Sequence, residues 1–321
     1  MSHLSGDESG SHERAQVDSC ALSIIVGSVD SARSIARCLA SLENACRGLD
    51  AEILVVDAST DDTVKRIKEM HPSIRVRQLP PGTLTPLLWS TGLTMSRGRA
   101  VAFTTGHCVA SESWARTLVG GVERGATGVA GSLSLAAESG PVDWALFYLR
   151  YSAFLGAGER DADAAAEIPG DNAAYRRDAL ERHATSFANG FWEVDFHRRL
   201  RAADPQTRLV FVQGAEVRFG PSAPLATLAR HRFAHGCHSG AWRVGTGARS
   251  AWQVAVAAPL VPFLLVARIA RRVLPRPSHR ARFLVAIPVL LCLATTWAAG
   301  EAWGALTHNG LATLRKPGLA A

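Results

Sequence analysis

Two long apolar segments, AWQVAVAAPLVPFLLVA (251–267) and FLVAIPVLLCLATTWAAG (283–300), follow a long charge-rich stretch. A chain of this kind divides into a part for water and a part for lipid. Each segment is close to the lower limit for crossing a hydrocarbon core, about 20 residues. Each also carries proline: Pro259 and Pro262 in the first, Pro288 in the second. Between them lies the basic run RIARRVLPRPSHRAR. Residues 221–321 hold 12 Arg or Lys and a single acid, Glu301, whereas residues 1–220 hold 23 basic and 27 acidic residues. The basic character therefore belongs to the apolar end. A uniformly basic surface would indicate nucleic acid; arginines beside apolar segments indicate anionic lipid headgroups, and no nucleic-acid partner is expected. Trp297 and Trp303 flank the second segment as interfacial aromatics do.

Topology is left open at this level. The positive-inside rule puts the basic run in the cytoplasm, and two full spans would then put the preceding domain outside. Shallow or re-entrant segments would keep the whole chain on one face. The expectation is a cell-membrane protein with its larger domain on the cytoplasmic face. The competing reading is a buried helical pair in a soluble protein. The six cysteines form no C-x-x-C pair, so neither a zinc knuckle nor a disulfide framework is indicated. Residues 1–19 are polar and lack an apolar core, which reads as a disordered leader rather than a signal peptide.

The stretch 21–110 alternates strand and helix signals. ALSIIVG (21–27) is a short apolar run of buried-strand type. The helix after it carries Ile35, Leu39 and Leu42 at helical spacing, and Asp30 or Ser31 can cap it. Glu52–Val56 is a second strand, ending at Asp57 before a capping stretch and the helix Thr63–Met70. A third strand covers Ile74–Gln78, a helix ends over Gly92–Ser96, and a fourth strand covers Ala100–Thr104. Such alternation implies β-α units in a doubly wound α/β sheet, with ligands at the carboxyl ends of strands. Asp57 and the Thr104–His107 stretch stand at such ends. Residues 125–190 are less regular, with a helix over VDWALFYLRYSAFL and a turn and helix start in IPGDNAAYRRDAL. EVDFHRRLRAA is a helix, LVFVQGAEVRF one further strand, and residues 220–250 a linker.

In their order, these pieces resemble the inverting family 2 glycosyltransferases of GT-A fold, over roughly residues 21–240. The resemblance implies a mixed doubly wound sheet followed by a C-terminal apolar helical hairpin. It implies a nucleotide-diphosphate sugar donor and, beside a membrane, a lipid or polyprenyl-linked acceptor or a growing glycan. The family's nucleoside-binding turn corresponds to Asp57-Ala58-Ser59-Thr60, which assigns Asp57 and Ser59 to the nucleoside. Its metal-binding D-x-D corresponds to Thr105-Gly106-His107, which carries no carboxylate, and Phe219 stands where a later histidine is frequent. Its G-x-N segment corresponds to Gly170-Asp171-Asn172, which assigns Asp171 and Asn172 to the donor or acceptor pocket, followed by Tyr175-Arg176-Arg177. Its catalytic carboxylate corresponds to Glu193 or Asp195 in FWEVDFHRRL. HRFAHG (231–236) falls where many members carry an Arg-rich acceptor-side segment.

The implied chemistry needs a base for the acceptor proton and positive charge for the departing diphosphate. Glu193, with Asp195 close behind, is the base candidate; both could equally be caps or partners of Arg198 and Arg199. Asp57 could equally be an ordinary turn residue. His107 is the one candidate ligand for Mg²⁺ or Mn²⁺, although imidazole suits softer ions better, and it could equally be a loop histidine. Without a metal, Arg176, Arg177 and Arg232 are candidates for the diphosphate. The expected layout is a leader (1–19), a transferase domain (20–240), membrane-associated helices (241–306) and a tail (307–321). The missing D-x-D carboxylates motivate a second reading, an inactive member that binds nucleotide sugar or scaffolds a complex. A third, a nucleotidyl or phosphoryl transferase, is disfavoured because no Gly-rich phosphate loop follows the first strand.

Overall fold

A computed structural model describes residues 19–135, 139–159, 162, 164–220 and 223–307. All but the last residue of the expected leader, and all but the first of the expected tail, lie outside these residues. The first part is built as expected: β1 (Leu22–Ser28), α1 (Ile35–Ala45), β2 (Ala51–Asp57), α2 (Thr63–Met70), β3 (Arg75–Gln78), α3 (Thr85–Met95) and β4 (Ala100–Thr105). Every residue of β1 and β4 is buried, as befits parallel strands covered by helices on both faces.

The next part departs from the expectation of an irregular region. It contains β5 (Cys108–Ala110), α4 (Trp114–Glu123), β6 (Gly128–Ala130), β7 (Leu133–Leu135), α5 (Pro141–Tyr151), β8 (Ala173–Arg176), α6 (Arg177–Glu181), α7 (Glu193–Ala203), β9 (Leu209–Phe211) and β10 (Val217–Phe219). IPGDNAAYRRDAL is not only a turn and a helix, because its centre is β8, inserted antiparallel between β4 and β6. LVFVQGAEVRF is not one strand. It breaks at Gly214, whose φ of 90° suits glycine, and its halves β9 and β10 enter different sheets. The main sheet runs β3-β2-β1-β4-β8-β6-β9, and a small sheet β5-β10-β7 lies beside it. The result is the mixed doubly wound sheet that the resemblance implied.

The expected linker at 220–250 is instead a 21-residue helix, α8 (Leu225–Gly245), which runs through the boundary expected at residue 240. The first apolar segment is broken into α9 (Ala251–Ala257) and α10 (Val261–Val273), bent by 65°. Pro259 supplies no N–H at the break, and Pro262 sits in the first turn of α10, where proline is tolerated. The second segment is one 31-residue helix, α11 (Pro277–Thr307), with Pro288 inside it. α11 is long and apolar enough to cross a membrane, and the bent pair passes the same test only if taken together. The first half of α11 packs on α5, where Phe283 and His279 meet Tyr148. Its second half lies parallel to α8, with Gly300 and Gly304 against Gly236 and Gly240. One hydrophobic core therefore runs from β1 through α5 and α8 to Phe283, Leu290 and Leu293 of α11.

Candidate active site

A cavity of about 260 Å³ opens at the carboxyl ends of the parallel strands, between the loops after β1 and β2, the His107 turn and the start of α8. Asp30, Thr60, Asp61, His107, Phe219 and His231 are among its lining residues. Asp57 lies beneath this floor, 1% exposed. Its carboxylate accepts hydrogen bonds from the Ser59 backbone N–H (3.0 Å) and hydroxyl (2.7 Å). The Ser59 hydroxyl in turn accepts from the Asp30 N–H (2.8 Å). Asp57 and Ser59 thus hold the two loops together and present Asp30. Asp30 adopts φ 46°, a left-handed conformation that aspartate tolerates. Its carboxylate accepts from the Thr60 N–H at 2.9 Å and lies 3.4 Å from His231 Nε2.

Behind the cavity wall of His107 and Phe219 stands Arg150, near the end of α5. It is ion-paired with the buried Asp171, which also accepts a hydrogen bond from the Tyr151 hydroxyl. The guanidinium packs over the rings of Tyr151 and Phe219, 5.2 and 5.6 Å from their centroids. Its other terminal nitrogen lies 3.4 Å from His107 Nε2. A guanidinium only donates, so Nε2 is the unprotonated nitrogen of His107. Burial, reinforced by Arg150 and His231, pushes the His107 pKa down to about 3, so the ring is neutral. Burial also raises the Asp171 pKa, opposed by Arg150.

These residues do not fit the divalent cation expected at Thr105-Gly106-His107. Thr105 directs its hydroxyl to His107 Nε2 (3.1 Å) and Cys108 (3.2 Å), and the imidazole faces a fixed guanidinium that repels a second cation. Among the described residues no group of three His, Cys, Asp or Glu converges as a metal site.

Glu193 opens α7, and its carboxyl lies against Gly170, where an added Cβ would be 3.2 Å from Glu193 Cδ. Burial raises its pKa to about 7, with Asp171 and Glu167 adding to the rise and its own backbone N–H and Arg150 opposing it. Asp195 is 41% exposed and accepts from Arg199 Nε at 2.6 Å, with Arg198 at 4.0 Å. Of the two carboxylates, only Glu193 faces the Arg150–Asp171 pair.

Three of the expected ligand residues do other work. Arg176 is aligned with Ala100, five residues from Thr105 on β4, which puts it about 17 Å from the cavity end of the sheet. It is paired with Asp178. Arg177 donates to the Gly98 carbonyl and to Ser96 Oγ at that same far end. Neither arginine can reach a ligand in the cavity. Asn172 is wholly occupied: Oδ1 accepts from the Trp114 indole (2.7 Å), and Nδ2 donates to the Ser132 and Ala215 carbonyls (2.9 and 3.0 Å). Asn172→Ala leaves the buried Trp114 indole N–H and the Ala215 carbonyl without these partners, at about 1–3 kcal/mol each before relaxation, while the Ser132 carbonyl keeps the Val217 N–H. The expected outcome is a midpoint shift of about 3 kcal/mol in denaturant unfolding, with Asp171 kept in place.

Neither Arg150 nor Asp30 is a site candidate in the sequence, where Asp30 stands only as a possible helix cap. Asp30 follows a strand end, a position shared with Asp57. The signal for Arg150 is the lone basic residue inside the apolar run VDWALFYLRYSAFL.

No curated protein matches the chain. Among solved structures it is similar to crystal structures of S. aureus TarS. The structure of TarS matches at 14% identity and a TM-score of 0.46, covering 66% of this chain and 39% of that one. TarS 1–349 matches at 15% identity and a TM-score of 0.46, over 66% and 64%. TarS 1–349 in complex with UDP-GlcNAc matches at 13% and 0.47, over 66% and 65%. The chain thus spans less than two thirds of each of these structures. The family model for glycosyl transferase family 2 matches residues 23–184, half of the chain, in the part that holds the cavity, Arg150 and Asp171. The chain belongs to glycosyl transferase family 2.

Proposed function

We propose that this glycosyltransferase is membrane-associated and inverting, and that it moves a hexosyl group from a nucleotide-diphosphate donor to a lipid-linked or glycan acceptor. The observation that carries this reading is Glu193: a carboxyl at a helix start, tuned to about pH 7, facing Arg150 and Asp171 beyond the cavity wall. A general base works best with a pKa near the operating pH. In the proposed step the acceptor oxygen attacks the sugar C1 from the face opposite the diphosphate and gives its proton to Glu193. The C1–O bond to the β-phosphate breaks, and its electron pair leaves on the diphosphate. Asp30, Thr60 and Asp61 contact the nucleoside in the cavity, over the Asp57–Ser59 brace. Asp195 is the alternative base, and its pairing with Arg199 argues against it.

Membrane association is supported by surface chemistry. Trp252 and Val256 of α9, Leu260 at the break, and Phe263 and Leu264 of α10 are all strongly exposed. Large apolar side chains exposed together mark an interaction surface. Arg268, Arg271, Arg272, Arg276, Arg280 and Arg282 cluster where α10 meets α11, as suits anionic headgroups. A cytoplasmic face for the cavity fits the supply of nucleotide sugars.

The test is transfer of labelled sugar from a panel of nucleotide donors into lipid extract, with activity followed through membrane sedimentation and detergent extraction. Activity that sediments, and that detergent releases, supports the reading. Donor binding without transfer from any donor would replace it with a catalytically inactive nucleotide-sugar-binding member.

A further inference from the structure

Arg232, in the second turn of α8, is a half-buried cation with no acidic partner among the described residues. Its Nε is buried and makes no hydrogen bond, and its guanidinium lies 6.0 Å from the Trp297 ring of α11. Burial, then the neighbouring charge of Arg150, brings its pKa down to about 10, so it stays charged at neutral pH. His235, one turn further on, has its pKa lowered to about 3 by burial and then by Arg232 and Arg150. It is therefore neutral and adds no charge. Geometry also brings α8 to this region: His231 lines the cavity with His107 and Phe219, and the His238 ring stacks on Trp192, the residue before Glu193, at 5.0 Å. Asp171 pairs with Arg150 and Arg232 has no acid of its own among the described residues, while the one acid of α8 and α11, Glu301, is engaged by Arg243 at 3.2 Å. A half-buried, uncompensated cation is costly. A fold that keeps one next to a second cation is completed by a multivalent anion.

The location narrows the anion. Arg150 reaches His107 of the nucleoside-side cavity on one side and acts on Glu193 on the other. A group bound there lies between a nucleoside and the base. We propose that Arg150 and Arg232 hold the donor diphosphate, and that two fixed guanidinium charges supply what a divalent cation supplies at a D-x-D turn. Phe219 then has a reason to stand where a histidine ligand is frequent in the family: its ring carries the Arg150 guanidinium. The inference rests on the reading of the cavity as a nucleotide-sugar site, and guanidinium is the side chain best shaped for phosphate oxygens.

The test is calorimetric binding of inorganic pyrophosphate and of UDP to the full chain in detergent, in EDTA and again with Mg²⁺ or Mn²⁺. Wild type, Arg232→Met, Arg150→Lys and a surface control, Arg124→Met, are compared. The expected result is binding of both probes in EDTA that added metal does not tighten. Arg232→Met weakens it about 10–100-fold, the size of a lost charge-assisted hydrogen bond or two. Arg150→Lys, which keeps the ion pair with Asp171, weakens it about tenfold, and Arg124→Met leaves it unchanged. Arg232 has no acid whose charge its removal would orphan, so this variant reports on the site even if Arg150 variants fold poorly. Binding that needs metal, or that survives Arg232→Met unchanged, overturns the proposal while leaving sugar transfer intact. Metal-free pyrophosphate binding lost in Arg232→Met, with no sugar transfer from any donor, supports the anion site and removes the transferase reading instead.

Discussion

Glu193→Gln is expected to lower sugar transfer about 10²–10⁴-fold, the contribution of a positioned general base, while donor binding persists. The amide keeps the shape against Gly170 and cannot take a proton. The wild-type rate should rise with pH up to about 7, where the Glu193 carboxyl loses its proton, and then level off. Below that point only the ionised fraction works, so the rate falls toward tenfold per pH unit. Asp195→Asn should leave both the rate and this limb in place, because its exposed pair with Arg199 contributes little. The same shift fixes the sign of a stability effect. In the unfolded chain this carboxyl ionises near 4.5, and in the folded protein near 7. Folded stability is therefore fully retained below pH 4.5, declines as pH rises from 4.5 to 7, and stays reduced above 7. Glu193→Gln should match wild type in thermal melts below pH 4.5 and exceed it at pH 8. A less stable variant at pH 8 would show that the carboxylate is held by favourable partners, and the base assignment would lose its physical ground.

The half of the fold that was legible in sequence is the half where burial and pattern agree. The strands β1, β2 and β4 are apolar runs because both sheet faces are covered, and α1 and α7 show the helical spacing of a one-sided core. β6, β7 and β9 are three residues each, too short to display any period. α8 escaped for a physical reason. Its contact with α11 is made by glycine backbone rather than large apolar side chains, and the polar His231 lines the cavity. Neither face carries the expected apolar stripe. Arg150 was hidden in the opposite way, as the one basic residue near the end of a helix whose run from Trp144 to Leu149 reads as core. Arg176 and Arg177 were placed at the site because the resemblance carries them with the Gly170-Asp171-Asn172 segment. β8 runs away from the cavity, and three residues along it carry the chain to the far end of the sheet.

Glycine at the α8–α11 contact carries the second large effect. A Cβ at Gly240 would stand 2.0 Å from the Glu301 carbonyl oxygen, and one at Gly304 2.0 Å from that of Cys237; Gly236 and Gly300 meet Trp297 and Phe233 carbonyls at 2.2 Å. The obstacles are helix backbone, which cannot turn aside as a side-chain end can. Gly→Ala in a helix interior normally stabilises by about 1 kcal/mol through propensity. Here displacement of two packed helices outweighs it, at about 3 kcal/mol for overpacking a rigid contact. Gly240→Ala and Gly304→Ala are therefore expected to lower Tm by roughly 5–10 °C in detergent micelles. Gly120→Ala on α4 meets only the Arg124 guanidinium end, at 3.2 Å, and should raise Tm slightly. The two helices also connect the apolar end of the chain to the cavity, since α8 carries Arg232 and α11 carries Trp297 beside it. Separating them should also weaken pyrophosphate binding, although neither glycine is near a ligand. Tm values for Gly240→Ala and Gly304→Ala at or above wild type would mean that α8 and α11 do not pack this closely, and the half-buried environment argued for Arg232 would fall with that contact.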